Sequence, residues 1–93
     1  MKMKGARVTN PQGLHARSAA TIVKLATLFQ SSIELKNGAK IANAKNIMAL
    51  LLLEASKGTE LTVCTNGKDE AQALAEMIGL IEDNFGETSA LSP

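Results

Sequence analysis

One short segment, Gly13-Leu14-His15-Ala16-Arg17-Ser18, combines residue types and spacing that could do chemistry. It follows Asn10-Pro11-Gln12-Gly13, a strong turn signal, and opens a stretch with helical apolar rhythm, so His15 stands where a turn becomes a helix. A helix start presents unpaired backbone N–H groups and a partial positive charge, which together bind an anion. In its neutral form an imidazole is a competent nucleophile, and His15 is the only histidine in the chain. If it attacks a phosphoryl group, the N–H groups of Ala16 and Arg17 can hold the product oxygens. The Arg17 guanidinium adds paired, charge-assisted contacts. Phosphoryl transfer needs mainly this kind of positioning and charge compensation. On residue types alone a second reading stays open, in which His15 is a cap or turn residue and Arg17 a solvated first-turn charge.

The elements that must position this segment can be read from periodicity. Lys4 to Thr9 is β-permissive, with Ala6 and Val8 on one side. From Ala16 to Phe29, apolar residues at Ala16, Ala19, Ala20, Val23, Ala26 and Leu28 or Phe29 follow the 3.6-residue period of an amphipathic helix. Ser31 to Leu35 alternates, Asn37-Gly38 supplies a hairpin turn, and Ala39 to Ala44 returns as a strand. Asn46 is suited to cap a short helix over Ile47 to Glu54, closed by Lys57-Gly58. Glu60 to Thr65 alternates again. Asp69 then begins a last helix with an apolar stripe at Ala71, Leu74, Ala75, Ile78, Ile81 and Phe85, and Asp69 and Glu70 complement its N-terminal dipole. Gly86 ends that helix, and Glu87 to Pro93 reads as a frayed tail. The βαββαβα order favours an α+β open-faced β-sandwich: a four-stranded antiparallel sheet with three helices on one face.

Composition narrows the function classes. Ninety-three residues suit one domain with a modest core. A net charge of +1 argues against nucleic acid as the main partner, and Phe29 and Phe85, the only aromatics, cannot form a base-stacking platform. Cys64 is the sole cysteine, which removes an internal disulfide and any paired-cysteine metal loop. Its strand position, alternating away from Leu61 and Val63, suits a small structural residue. The N-terminus lacks a signal-peptide core, and the longest apolar run, Ile47 to Leu53, is too short to span a bilayer. A cytoplasmic protein with no membrane insertion, no metal and no cofactor is the expectation.

Gly13-Leu14-His15-Ala16-Arg17-Ser18-Ala19-Ala20 resembles the active-site signature of the HPr family, the histidine-containing phosphocarriers of the phosphoenolpyruvate-dependent phosphotransferase system. The likeness continues through Asn43-Ala44-Lys45-Asn46-Ile47-Met48, Lys57-Gly58-Thr59-Glu60-Leu61-Thr62-Val63 and Asp69-Glu70-Ala71. It covers about residues 3 to 86 and makes 1–93 one domain. The resemblance implies that enzyme I phosphorylates His15 at Nδ1, that Arg17 is its charge partner, and that Ala16, Arg17 and Ser18 surround the phosphate. The group would then pass to IIA proteins or domains. Such a chain is a stoichiometric intermediate more than a turnover enzyme, and a monomer is the expected state.

Two departures from the family pattern stand out. Ser18 replaces the usual proline, which pre-sets the backbone near a helix start, and its hydroxyl could act as an extra donor to phosphoryl oxygens. Asn46 occupies the position of a regulatory serine found in many members, so phosphorylation there should be absent.

Ile47 to Leu53 is apolar all round, more than one buried side can absorb, and an exposed apolar remainder usually marks a partner surface. The resemblance implies docking by this helix together with the first, through Ala16, Arg17, Ala20, Thr21, Lys24, Ile47, Met48 and Leu51. Flexible Met48 suits several partners. Within the family, Ala49 to Gly58 is reminiscent of the nitrogen-type regulatory branch and Ala44 to Met48 of the sugar-uptake branch. An unphosphorylated interaction module with the same fold is a reading from another class.

Overall fold

A computed structural model describes residues 1–87. The strands are β1 (Lys2–Arg7), β2 (Ser32–Asn37), β3 (Lys40–Asn43) and β4 (Glu60–Asn66), and the helices are α1 (Ala16–Ala26), α2 (Ile47–Leu51) and α3 (Glu70–Glu82). A tight turn over Asn84–Gly86 follows α3. The sheet runs β1-β4-β2-β3 and every pairing is antiparallel. This is the four-stranded α+β sandwich expected from the element order.

Alternation sorts each strand between two faces. Ala6 pairs with Leu61 and Leu35 with both Val63 and Ala42, which puts these apolar residues together under the helices. Met3, Cys64 and Glu34 share the opposite, uncovered face. Buried Ile22, Leu50, Leu53, Met77 and Ile81 fill the space between helices and sheet. Each large aliphatic side chain so enclosed contributes about 1.5–3 kcal/mol. Helix α3 lies over β1 and β4, while α1 contacts both α2 and α3.

Helix faces differ from the stripes read in the sequence. In α1 the buried residues are Ser18, Ala19, Ile22 and Ala26, whereas Ala16 and Ala20 are exposed. In α3 they are Ala73, Met77, Ile78 and Ile81, whereas Ala71 and Ala75 are exposed. Alanines fit either side of a helix at little cost, so an alanine-rich periodicity fixes the register poorly.

Helix α2 is shorter than expected and ends well before Lys57-Gly58. Asn46 caps its start, its Oδ1 accepting the Ala49 N–H at 3.1 Å. The end tightens through Leu53 N–H to Leu50 O (3.1 Å) and Glu54 N–H to Leu51 O (3.2 Å), and Glu54 turns left-handed at φ 53°. The Asn37 side chain donates to Leu53 O at 2.9 Å, and Lys40 Nζ lies 2.5 Å from Glu54 Oε1. Side chains from the β2–β3 hairpin thus stop α2.

Asp69 precedes α3 but caps another segment. Its carboxylate accepts the Ser31 hydroxyl (2.5 Å), the Ser31 N–H (2.9 Å) and the Gln30 N–H (3.0 Å), with no bond to its own helix. The Ser31 hydroxyl foremost, then the Gln30 amide, holds this carboxyl down to about 2 against the desolvation that opposes it. Glu70 Oε1 instead accepts the Gly67 N–H at 3.0 Å.

Candidate functional site

The segment around His15 is fastened from both sides. Gly13 N–H donates to Asn10 O at 3.1 Å, and the buried Asn10 side chain returns a bond to Gly13 O at 2.8 Å. Leu14 N–H donates to Ala55 O at 2.8 Å, tying the segment to the stretch after α2. Gly13 adopts φ +66°, and a Cβ there would lie 2.6 Å from Ala55 O and 2.8 Å from Ser56 Cα. Glycine is therefore required by both backbone conformation and close approach. Nothing in the sequence pattern singled out Asn10 as a buried tie; its place in a turn signal was the only cue.

His15 occupies the N-cap of α1, with extended backbone at φ −129°, ψ −175°. Its carbonyl accepts the first intrahelical bond, from Ala19 N–H at 2.8 Å, so the N–H groups of Ala16, Arg17 and Ser18 have no acceptor within the helix. The imidazole is 28% exposed, with its Nε2 shut off from solvent. Arg17 is exposed and, among the described residues, forms no ion pair.

Ser18 is buried, and its hydroxyl is engaged with the backbone of the histidine. It accepts the His15 N–H at 2.8 Å and donates to His15 O at 3.0 Å. His15 and Ser18 form a capping box, although the ring does not make an aligned cap hydrogen bond. The Ser18 hydroxyl expected to be free for phosphoryl oxygens is thus committed to the backbone of the N-cap.

Glu87, the first residue of the expected tail, makes three contacts. Its N–H bonds Asn84 O at 3.0 Å, its Oε1 accepts from Asn10 Nδ2 at 3.3 Å, and its Oε2 lies 3.0 Å from His15 Nε2. The rest of the expected tail, 88–93, lies outside the described residues. No sequence signal pointed to this contact, because it depends on the turn at Asn84–Gly86.

The expected docking residues fall on two neighbouring helices, since α1 and α2 pack together. Arg17, Ala20 and Lys24 are exposed and Thr21 half-buried on α1; Ile47 is 38% and Met48 68% exposed on α2, while Leu51 is half-buried. Leu52, 71% exposed, joins this apolar patch and was absent from the sequence expectation. Among the described residues no cluster of histidine, cysteine or acidic side chains could hold a metal, and no helix is long and apolar enough to cross a membrane.

Residues 3–83 match the family model for the PTS HPr component phosphorylation site. The chain belongs to the HPr family. A phosphocarrier protein HPr from Xylella fastidiosa is 42% identical over 80 residues, covering 86% of this chain and 90% of the relative. The crystal structure of HPr-C-His from Thermoanaerobacter tengcongensis superposes with a TM-score of 0.88 at 39% identity, covering 94% of this chain and 98% of the other. The crystal structure of an HPr dimer from the same organism covers 94% of this chain and 100% of its own, with a TM-score of 0.74 at 39% identity. This HPr-type chain is therefore a phosphocarrier of the phosphotransferase system. Its His15 segment lies within the matched residues.

Proposed function

We propose that this chain takes a phosphoryl group from phosphorylated enzyme I onto Nδ1 of His15 and passes it to IIA proteins or domains, for sugar uptake, regulation or both. It does so as a cytoplasmic monomer. The observation that carries this reading is the half-open imidazole at the N-cap of α1, beside three backbone N–H groups without intrahelical acceptors. The Nδ1 lone pair forms the new N–P bond as the bond from phosphorus to the donor breaks, and the donor retains that electron pair. The amides of Ala16, Arg17 and Ser18 and the Arg17 guanidinium take up the charge on the phosphoryl oxygens. Because the imidazole is a good leaving group from phosphorus, the reverse step serves delivery.

Arg17, Ala20, Thr21 and Lys24 with Ile47, Met48 and Leu51 make the docking surface, an apolar centre with a basic flank suited to acidic rims on partners. Asn46 has no hydroxyl to phosphorylate, and its side chain is already committed to Ala49 N–H. Regulation by a kinase at that position is absent in this reading.

Incubation with enzyme I and phosphoenolpyruvate, followed by intact mass measurement, tests the proposal. An acid-labile gain of one phosphoryl group, lost in His15→Ala, is the expected result. No gain with either a sugar-type or a nitrogen-type enzyme I would leave an unphosphorylated interaction module. The enzyme I that does charge the chain identifies its branch.

A further inference from the structure

We propose that Glu87 is a positioning residue for the reacting histidine: its carboxylate holds the proton on Nε2 of His15 and so keeps the Nδ1 lone pair free to meet phosphorus. The inference rests on the carrier reading and adds to it a residue beyond the helix start. Glu87 Oε2 and His15 Nε2 are 3.0 Å apart, both atoms are shut off from solvent, and among the described residues neither makes an aligned hydrogen bond to any group, so this close contact is the one polar neighbour each has. Were Nε2 unprotonated, two buried acceptors would face each other with no donor between them, an arrangement that leaves both unsatisfied. A proton on Nε2 resolves this, and in a neutral ring it assigns the lone pair to Nδ1.

The same contact answers the charge created by the reaction. When Nδ1 forms the N–P bond and the donor leaves with its electron pair, Nε2 keeps its proton and the ring becomes cationic. The Glu87 carboxylate lies against that cation. No proton has to enter or leave in either direction of transfer, and the ring is neutral again once the phosphoryl group has gone.

Backbone geometry supplies an independent observation. Asn84 (φ 53°), Phe85 (φ 57°) and Gly86 (φ 76°) are consecutive left-handed residues, and two of them carry a Cβ. Such a run is uncommon and persists only where its surroundings hold it. Here Phe85 is buried, the Thr9 hydroxyl hydrogen-bonds Asn84 Oδ1, and Gly86 N–H bonds Asp83 O at 2.9 Å. The turn reverses the chain after α3 and brings Glu87 onto the imidazole, where Asn10 Nδ2 orients the second carboxylate oxygen at 3.3 Å. The strained residues thus end at the contact with the reacting side chain.

The test joins nitrogen-15 NMR of the His15 ring to the rate of phosphoryl acceptance from enzyme I. In the unmodified chain a downfield N–H resonance, protected from exchange, should be assigned to Nε2, with Nδ1 showing the shift of an unprotonated nitrogen. Glu87→Ala should lose that protected proton and accept the phosphoryl group about 10-fold more slowly, with its thermal melt showing that the fold persists. Glu87→Gln keeps an acceptor oxygen without the charge, so it should retain the resonance and still lose rate. A purely structural role for Glu87 would move the melt but not the ring nitrogens. A ring protonated at Nδ1 in the unmodified chain, or a Glu87→Ala variant with unchanged resonance and rate, overturns the proposal while leaving the carrier reading in place. If the unmodified chain accepts no phosphoryl group at all, both fall together.

Discussion

Replacing Ser18 with alanine separates the two jobs its hydroxyl could do. The oxygen accepts from His15 N–H at 2.8 Å and donates to His15 O at 3.0 Å, in a position shut off from solvent. Losing a cap of this kind costs about 1 kcal/mol, and an amide left without an acceptor in a half-buried place costs about 1–3 kcal/mol where water cannot reach it. Alanine's better helix propensity returns about 0.5 kcal/mol. The net loss should be about 1.5–3.5 kcal/mol, which for a domain of 93 residues lowers the melting temperature by about 6–28 °C. Urea denaturation followed by circular dichroism measures the first quantity, and phosphoryl acceptance below the transition measures the second. Lower stability with a transfer rate within about twofold of the unmodified chain is the expected pair of results. A variant of unchanged stability that accepts phosphate ten times more slowly would place the hydroxyl on the phosphoryl group and refute the capping account.

Three other perturbations probe different parts of the fold. Gly13→Ala puts a Cβ 2.6 Å from Ala55 O at φ +66°, so it should cost about 2–4 kcal/mol and slow acceptance at His15; a melt matching the unmodified chain would contradict the close-approach argument. Asp69→Asn should destabilise near neutral pH, because a carboxyl held at about 2 in the folded state contributes stability that is present above its ordinary value of 3.8 and lost as pH falls through about 2. Chemical denaturation across that range should show the gap between variant and parent closing at the acid end, and a gap independent of pH would count against the Ser31 and Gln30 contacts as its source. Arg17→Ala should leave stability within about 0.5 kcal/mol, since the side chain is exposed, yet slow phosphoryl acceptance about 10²-fold in rapid-quench measurements if its guanidinium stabilises the transferring charge.

Strands with clear alternation were legible in the sequence, and so was the hairpin at Asn37-Gly38. Ile33 with Leu35, and Leu61 with Val63, can point their apolar side chains only one way in a sheet covered on one face. Helix registers were less legible. Ile22 is fully buried in α1, but alanines at Ala16 and Ala20 produced an apparent stripe on the wrong side. The end of α2 was hidden because its stop comes from Asn37 and Lys40, which are distant in sequence. Local cap chemistry also misled at Asp69, where the carboxylate serves the Gln30–Ser31 amides across the fold. At the candidate site, the N-cap placement of His15 followed from a turn meeting a helix. The engagement of Ser18 with the histidine backbone, and the arrival of Glu87, required three-dimensional closure that no periodicity encodes.

The bond from Leu14 N–H to Ala55 O, with Gly13 pressed against Ser56, joins the histidine segment to the chain leaving α2. A load on the exposed Met48 and Leu52 ridge therefore reaches the imidazole through backbone alone, with no long side chain or glycine-rich hinge to absorb it. If partners dock there as proposed, gripping that ridge would fix the aim of the imidazole in the same act. Two partners that gripped it differently would then meet one geometry at the nitrogen, and discrimination between them would be left to the ridge itself.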